Sequence, residues 1–485
     1  MNLKVIKDLE TDKKNEKNIE TTGVFNDSRK VIENSIFIAI DGFLVDGHKF
    51  IDTAIAKGAK IIVHTKDIAS YADDIFYIKV TDSYFAYSLL IEEFYAKPAK
   101  DFILTGITGT NGKTTTSFIL QEFLKNIDER IGLVSTIKFD NGIKSVSANG
   151  TTPEATELQE QFAEIAKNRC PYAVMEVSSH GLSQRRIGSA KFAVAIFSNL
   201  TGDHLDYHGT MEEYYQAKKI FFTEYLSDEG FAVINIDDEY GFRLNDELSN
   251  KKTISLSIEK DADCKIVIEK QTIQKTVFSL ECKKLNIPLK KIETNLIGLH
   301  NVYNLTSAIL AYLTLKTGDL KDINKMCSNL SITGRLERID LKNNVSAFID
   351  YAHTDDALDN ILKTLKPITI GKLIVLFGAG GDRDKTKRPR MAAVAAKYAD
   401  KIIITSDNPR FENPQSIIDD VKKGIPKGVC YYEIVDRKEA IRKAAELAKP
   451  NDIIVLAGKG HENYQIIKDK TIHLSDREEI LNTLR

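Results

Sequence analysis

Cysteine is scarce and unpatterned in this chain of 485 residues: Cys170, Cys264, Cys282, Cys327 and Cys430 are odd in number, widely scattered and include no C-x-x-C pair. That argues against a disulfide framework or a thiolate zinc site and fits a reducing compartment. Long apolar runs are missing as well, and the first residues, MNLKVIKDLETDKKNEKNIE, lack the apolar core of a signal peptide. A soluble, cytoplasmic protein is expected. No sign of charge dominates: 67 Lys+Arg stand against 69 Asp+Glu, a net charge of −2, so a general electrostatic attraction to nucleic acid or an anionic membrane is not expected. Ligands need local sites.

What is present is globular: 42% hydrophobic and 28% charged residues, with Gly and Pro modest at 27 and 10 and no internal repeat. At roughly 150 residues per domain, the length predicts about three domains. Residues 10 to 20 form the one charge-rich stretch, expected to be a solvated loop. Up to about 98, SIFIAI and AKIIVH read as strands and 84 to 95 as a helix ending before Pro98, a small α/β domain. From 102, FILTGIT, YAVMEVSS, AVAIFSNL and GFAVINI alternate with helix-length segments at 113 to 127, 155 to 168 and 210 to 226. Such alternation predicts a mainly parallel sheet. Residues 252 to 297 read as antiparallel-like strands, and Asn301 to Lys316 as a helix. The pattern restarts with SAFIDYAH, KLIVLFGAGG, DKIIITSDNP and NDIIVLAGKG. The expected fold is α/β in three domains: an N-terminal domain over 1–98, a central P-loop-type ATPase domain over 99–333 and a C-terminal Rossmann-like domain over 334–485.

Gly106-Ile-Thr-Gly109-Thr110-Asn111-Gly112-Lys113-Thr114-Thr115 follows a strand run and opens a helix, the context of a loop whose backbone N–H groups wrap phosphate. Lys113 would reach the β/γ-phosphates of ATP and Thr114 a magnesium ion. Five residues separate Gly106 from Gly112, one more than the generic P-loop allows. The loop leaves open whether the phosphoryl group goes to a protein, a metabolite, water or a carboxylate, so a nucleotide switch acting on a protein partner is the rival of another class.

The variant Thr-Gly-Thr-Asn-Gly-Lys-Thr-Thr at 108 to 115 resembles the loop of the Mur ligases, ATP-dependent amide-forming enzymes of peptidoglycan synthesis related to folylpolyglutamate synthases. Further segments resemble the family in order: TTPE at 151, EVSSHGL at 176, NLTGDHLDYHG at 199, Lys218, HNVYN at 300, GRLE at 334, DYAHT at 350 and GKGHE at 458. DSR at 27, TTPE and DNPR at 407 are similar to the branch that adds the third residue of the peptide, and the first two count against a folylpolyglutamate synthase.

The resemblance implies a carboxylate activated by ATP as an acyl phosphate and then attacked by an amine. It points to Lys113, Glu176, His204 and Lys218 as catalytic, with Thr114, Glu176 and Lys218 at two Mg²⁺ ions. Lys218 would carry a carbamate made with CO₂; by residue type alone, a helical Lys-Lys pair is solvated surface. Gly109 to Thr115, Asn301, Arg335 and Asp350 would meet ATP, although Asn301 would equally serve as a helix N-cap. Ser28, Thr151, Thr152, Ser178, Gln184 and Arg186 would line the UDP-N-acetylmuramoyl-L-Ala-D-Glu site. His180 and His208 read as hydrogen-bonded histidines at strand ends, and His353 as a residue near the interdomain hinge. A monomer is expected.

The added amino acid is read from charge. Three strand runs end in polar loops holding Arg383, then Asp407-Asn408-Pro409-Arg410, then Gly458 and Glu462. Parallel strands put all three at one sheet edge. A second carboxylate, as in meso-diaminopimelate, suits an arginine, whereas the ammonium end of L-lysine is repelled. Arg383 and Arg410 would hold carboxylates and Glu462 an ammonium; meso-lanthionine meets the same groups. As the bland alternative, the Asp-Asn-Pro-Arg segment is a turn and Arg410 a surface salt-bridge partner.

Overall fold

A computed structural model describes residues 20–42, 45–68, 70–148, 150–315, 323–328 and 330–483, so the charge-rich stretch lies outside the described residues except for Glu20. The described residues fall into two compact units: one within Met1–Lys265, Cys282–Asn286 and Asn304–Asp319, the other within Ile266–Glu281, Ile287–Tyr303 and Leu320–Arg485. None of their helices is long and apolar enough to cross a membrane.

The first unit holds two sheets. Val24–Phe25, Ser35–Ile38, Ala59–His64 and Phe76–Lys79 pair in parallel in chain order. The helix Ser83–Phe94 covers them, its first turn capped by the Asp82 carboxylate accepting from Phe85 N at 3.0 Å. Its Glu92 carboxylate accepts from Ser189 N at 2.8 Å and Ser189 Oγ at 2.9 Å, and Tyr95 donates to Glu160 at 2.8 Å. These bonds attach the small sheet to the larger one, so that the two form one compact unit.

In the larger sheet, Ile131–Val134, Tyr172–Glu176, Ile103–Thr108, Phe192–Phe197, Leu226–Asn235 and Lys252–Ser257 lie side by side, all parallel. An antiparallel flap, Lys138–Asn141 and Ser145–Ser147, extends one edge. The antiparallel expectation for 252 to 297 is therefore wrong at its start. The helix Glu239–Glu247 returns the chain to the same end of the sheet, so Lys252–Ser257 runs parallel to Leu226–Asn235. Alternating side chains report a pleat but not a direction. The expected helix at 210 to 226 is Met211–Ile220, followed by a π-helical turn, Phe221–Tyr225, that buries Phe221 and Phe222.

In the second unit, Ser346–Asp350, Ile453–Ala457, Leu373–Phe377, Lys401–Thr405 and Tyr431–Ile434 form a parallel sheet with one antiparallel edge strand, Glu337–Asp340. Successive residues of Leu373–Phe377 face opposite cores. Val375 packs with Leu358, Met391 and Ile417, and Ile374 and Leu376 pack with Ile441, Ala444 and Ile480. Helices thus cover both faces, and a strand apolar on both sides follows.

Arg437 and Asp476, both fully buried, form a bidentate pair at 2.7 and 2.6 Å. The guanidinium also donates to Ala457 O at 3.0 Å, beside the Gly458 loop. Asp476→Ala leaves a buried cation without its counter-ion, which should cost about 3–5 kcal/mol. The expected reading is a large fall in the urea midpoint, whereas an unchanged midpoint would show the pair to be dispensable.

Candidate active site

The strand Ile103–Thr108 feeds a loop into the helix Lys113–Leu124, whose first-turn N–H groups have no intrahelical acceptor and favour an anion. Gly109 and Gly112 have φ of +143° and +90°, and a Cβ on them would collide with Ser198 Oγ and Asn304 Oδ1. Neighbouring residues latch the loop: Thr110 N donates to Asn199 O at 2.9 Å, Asn111 N to Asn199 Oδ1 at 2.9 Å and Ser198 Oγ to Asn111 O at 2.6 Å. Thr110 Oγ1 donates to Thr201 O at 3.2 Å. Lys113 Nζ folds back onto Gly109 O and Thr110 O at 2.9 and 2.8 Å.

Behind the loop, Glu176 ends its strand fully buried and accepts from Thr114 Oγ1 at 3.0 Å, Thr136 Oγ1 at 2.9 Å and Thr136 N at 3.0 Å. Thr136 Oγ1 lies 3.0 Å from Thr151 Oγ1. Thr152 Oγ1 donates to Glu176 O and accepts from Ser178 N, both at 2.9 Å, while Ser178 Oγ caps the turn Ser179–Ser183. Arg186 donates to Thr152 O at 2.7 Å and Gln184 Oε1 at 2.6 Å, and pairs with Glu154 at 2.5 Å. Glu176, Thr114, Thr151, Thr152, Ser178, Gln184 and Arg186 are thus one connected group. Ser28, buried in the N-terminal sheet domain, has no bond to it.

Lys218 is not surface. It is 1% exposed, its Nζ donates to Gly109 O at 2.9 Å, and the Tyr214 ring lies 4.7 Å away. Burial, and then the nearby Lys113 charge, push its ammonium well below the ordinary lysine range. His208 Nε2 meets Ser179 Oγ at 2.9 Å, as expected of a satisfied histidine. His180 differs: its ring packs 4.1 Å from Tyr207 and 5.0 Å from His204, without a hydrogen bond among the described residues. Burial, with His204 and His208 close, pushes it down to about 4. His204 is exposed, at φ +55°, with Asp203 at 3.5 Å from Nε2. Although the side chain is about half exposed, at 47%, partial desolvation of the ring, with Lys113 and Lys218 near, lowers it despite that partner.

In the second unit, Asn301 sits inside the helix Leu299–Thr314 and its Nδ2 donates to Ile297 O at 2.8 Å, so it is no N-cap. Asp350 accepts from Leu336 N and Ala352 N at 2.7 and 2.8 Å, while its carbonyl accepts from Gly458 N at 3.0 Å. Burial raises its carboxyl. Arg335 lies 5.1 Å above the Tyr351 ring. His353 Nδ1 meets Tyr351 O at 2.8 Å.

The three polar loops do share one edge, because their strands are parallel. Glu462 Oε2 takes Asn408 Nδ2 at 3.0 Å and the buried Lys459 Nζ at 2.9 Å, leaving Oε1 with only a 3.4 Å contact to Tyr464 OH. Asp407 is buried with Oδ2 unpartnered among the described residues, and that oxygen faces Gly458. Pro409 is buried between Asn408 and Arg410. Arg410 Nη1 donates to Gly381 O at 2.9 Å and Arg383 Nη1 to Asp382 O at 3.3 Å; neither pairs with a carboxylate among the described residues. A Cβ at Gly380 would lie 3.0 Å from Arg410 Nη1 and 3.8 Å from Arg383 Cγ, so the two arginines flank one glycine. Arg410 is no surface salt-bridge partner.

Three family descriptions match along the chain: Mur ligase family, catalytic domain, over residues 20–87; Mur ligase middle domain over 107–312; and Mur ligase, glutamate ligase domain, over 334–460. A UDP-N-acetylmuramoyl-L-alanyl-D-glutamate--2,6-diaminopimelate ligase of Clostridium botulinum is 44% identical over 99% of each chain. The chain belongs to the Mur ligase family. A similarly named protein of Clostridium acetobutylicum is 42% identical over 95% of this chain and 94% of its own. A solved structure of a protein with that ligase name is 32% identical with a TM-score of 0.71, covering 100% of this chain and 98% of its own.

This Mur ligase therefore has the three-domain fold of the family and is a ligase of peptidoglycan precursor synthesis, of the MurE type. Sequence reasoning missed Thr136, Ser198, Asn199 and Lys459 as site residues. Asn199 stood inside a quoted motif, but a threonine on a turn carries no signal until folding brings it to Glu176.

His461 offers a pH test. Its Nδ1 is buried without a partner among the described residues, and burial, with Arg335 and Lys459 near, pushes the imidazole down to about 4. Between about 4 and the ordinary 6.5, the unfolded chain holds a proton that the folded chain lacks. This histidine's contribution to stability is therefore lost as pH falls through that window. Denaturation midpoints at pH 7 and pH 5 should differ less in His461→Gln than in the wild type, and an equal difference would contradict the assignment.

Proposed function

We propose that this enzyme joins meso-diaminopimelate to UDP-N-acetylmuramoyl-L-alanyl-D-glutamate, with ATP converting the terminal carboxylate to an acyl phosphate. The observation that carries the choice of amino acid is the pair of unneutralised guanidiniums, Arg383 and Arg410, flanking Gly380. They suit a carboxylate, and they repel an ammonium. Asp407 Oδ2, unpartnered among the described residues, and Glu462 Oε1, which accepts from Tyr464 OH at 3.4 Å, can take ammonium groups, with Asn408 and the Gly458 backbone beside them. The names of the relatives support the same reading.

In the chemistry we propose, the carboxylate oxygen bonds to the γ-phosphorus as the bond to ADP breaks. The amine nitrogen then bonds to the acyl carbon, and phosphate leaves after a tetrahedral intermediate. Lys113 on the loop Gly109 to Thr115 offsets the charge of the phosphates; Asn301, Arg335 and Asp350 serve the nucleotide, and His204 serves the phosphate side. Ser28, Thr151, Thr152, Ser178, Gln184 and Arg186 bind the UDP substrate, its uracil end at Ser28.

Magnesium fits the oxygen donors Thr114 and Glu176, and when bound it would offset charge on the phosphoryl oxygens. As an amine, Lys218 is no ligand for it. Burial favours the neutral amine, the form that reacts with CO₂, and the resulting carbamate would supply the oxygens of a second magnesium site. Domain limits of 1–98, 99–333 and 334–485, a monomer and a cytoplasmic location complete the proposal.

Phosphate release in the presence of the UDP substrate, ATP and Mg²⁺ should be at least about 100-fold more efficient with meso-diaminopimelate than with L-lysine, the worth of one charge-assisted contact. Meso-lanthionine should be accepted comparably, and equal use of L-lysine would remove the arginines as selectors. For Lys218→Ala, activity should fall by about 100-fold or more, and the response to bicarbonate should vanish. Full activity in that variant would overturn the carbamate.

A further inference from the structure

Arg388 is among the largest fully buried side chains, and the chemistry above does not use it. It lies on the helix Lys387–Tyr398 and reaches three segments. Its Nη2 donates to Gly380 O at 3.2 Å and to Glu412 Oε1 at 2.8 Å; its Nη1 donates to Glu412 Oε2 at 3.1 Å and Asp420 Oδ2 at 2.9 Å. Glu412 also accepts from Asp382 N at 2.6 Å and pairs with Lys385 at 3.1 Å. Asp420 also pairs with the exposed Lys423 at 2.6 Å, so both carboxylates of the cluster are engaged by cations and neither is left to bind a ligand.

Its position is what matters. Glu412 follows Arg410 by two residues and grips the backbone of the residue before Arg383. The same two loops are stitched by Gly381 N to Asn408 O at 2.9 Å and Phe411 N to Asp382 Oδ2 at 3.1 Å. Asp382 and Arg410 both stand at φ +52°, a left-handed conformation that a side-chain-bearing residue keeps only when its surroundings enforce it. Without Glu412 and its anchor, the two loops keep fewer ties to one another, and a directional grip on a carboxylate is lost with small displacements.

We propose that Arg388 and Glu412 form a positioning clamp that holds the Arg383 and Arg410 loops at the spacing needed to bind the far carboxylate of a diamino diacid, and so sets selectivity for it. This inference rests on the reading of Arg383 and Arg410 given under the proposed function. Neither clamp residue touches substrate.

The test uses the full-length enzyme with Glu412→Gln and Arg388→Lys, beside Arg383→Ala and Arg410→Ala. Glu412→Gln should raise the KM for meso-diaminopimelate about tenfold, leave the KM values for ATP and the UDP substrate within twofold, and narrow the preference over L-lysine. Arg388→Lys, which keeps a cation, should show a smaller change of the same kind. If the two alanine variants raise that KM while Glu412→Gln does not, the clamp is overturned and the arginine reading stands. If the alanine variants leave it unchanged, that reading fails and the clamp fails with it. A rise in all three KM values together, with a lower melting temperature, would mark a merely structural role and overturn the proposal.

Discussion

Two lysine side-chain nitrogens converge on a single carbonyl. Lys113 and Lys218 each donate to Gly109 O at 2.9 Å, one from the phosphate-loop helix and one from beneath it. Two like charges this close are unfavourable unless anions arrive between them or one proton is given up. Burial of Lys218 favours the second outcome, and a bound phosphate would supply the first. Around this point the loop has little freedom, because Ser198, Asn199 and the positive-φ glycines Gly109 and Gly112 leave it one shape. Glu176 accepts three donors immediately behind, so the acidic and basic halves of the pocket are held by separate strands of one parallel sheet.

The second unit treats its arginines in two ways. Arg388 and Arg437 are buried and each is paired with a carboxylate, although Arg388 Nε has no partner among the described residues, and they tie helices to strand-end loops. Arg383 and Arg410 stand at the loop edge with only carbonyl acceptors. A carbonyl orients a guanidinium without cancelling its charge. The same distinction appears at Glu462, where Lys459 and Asn408 both meet one oxygen and the other has only the long bond from Tyr464 OH among the described residues. Rigidity thus comes from neutralised groups, and affinity for a charged ligand is left to the ones that remain unbalanced.

Much of this could be read along the chain. The apolar runs ending at Thr108, Glu176, Asp350, Phe377, Thr405 and Ala457 are strands close to where their patterns placed them, because strands buried on both faces are continuously apolar. The phosphate loop is legible for a local reason: strand, glycines, Lys-Thr and helix are consecutive. Direction was not legible at Lys252–Ser257, nor was the π-helical turn after Ile220, because neither changes the periodicity of the residues.

By itself, the order of residues determined the strand-loop-helix units, the residue types offered at each strand end and the family resemblance, since all of these depend on neighbours in the chain. Only the tertiary structure decided which charges are spent. Lys218 is drawn out of solvent, Arg388 is matched to Glu412, Thr136 is brought to Glu176, and Arg383 and Arg410 are left uncompensated. Burial and pairing depend on groups far apart in the chain, and no local pattern encodes the dielectric or the partner that a side chain meets after folding.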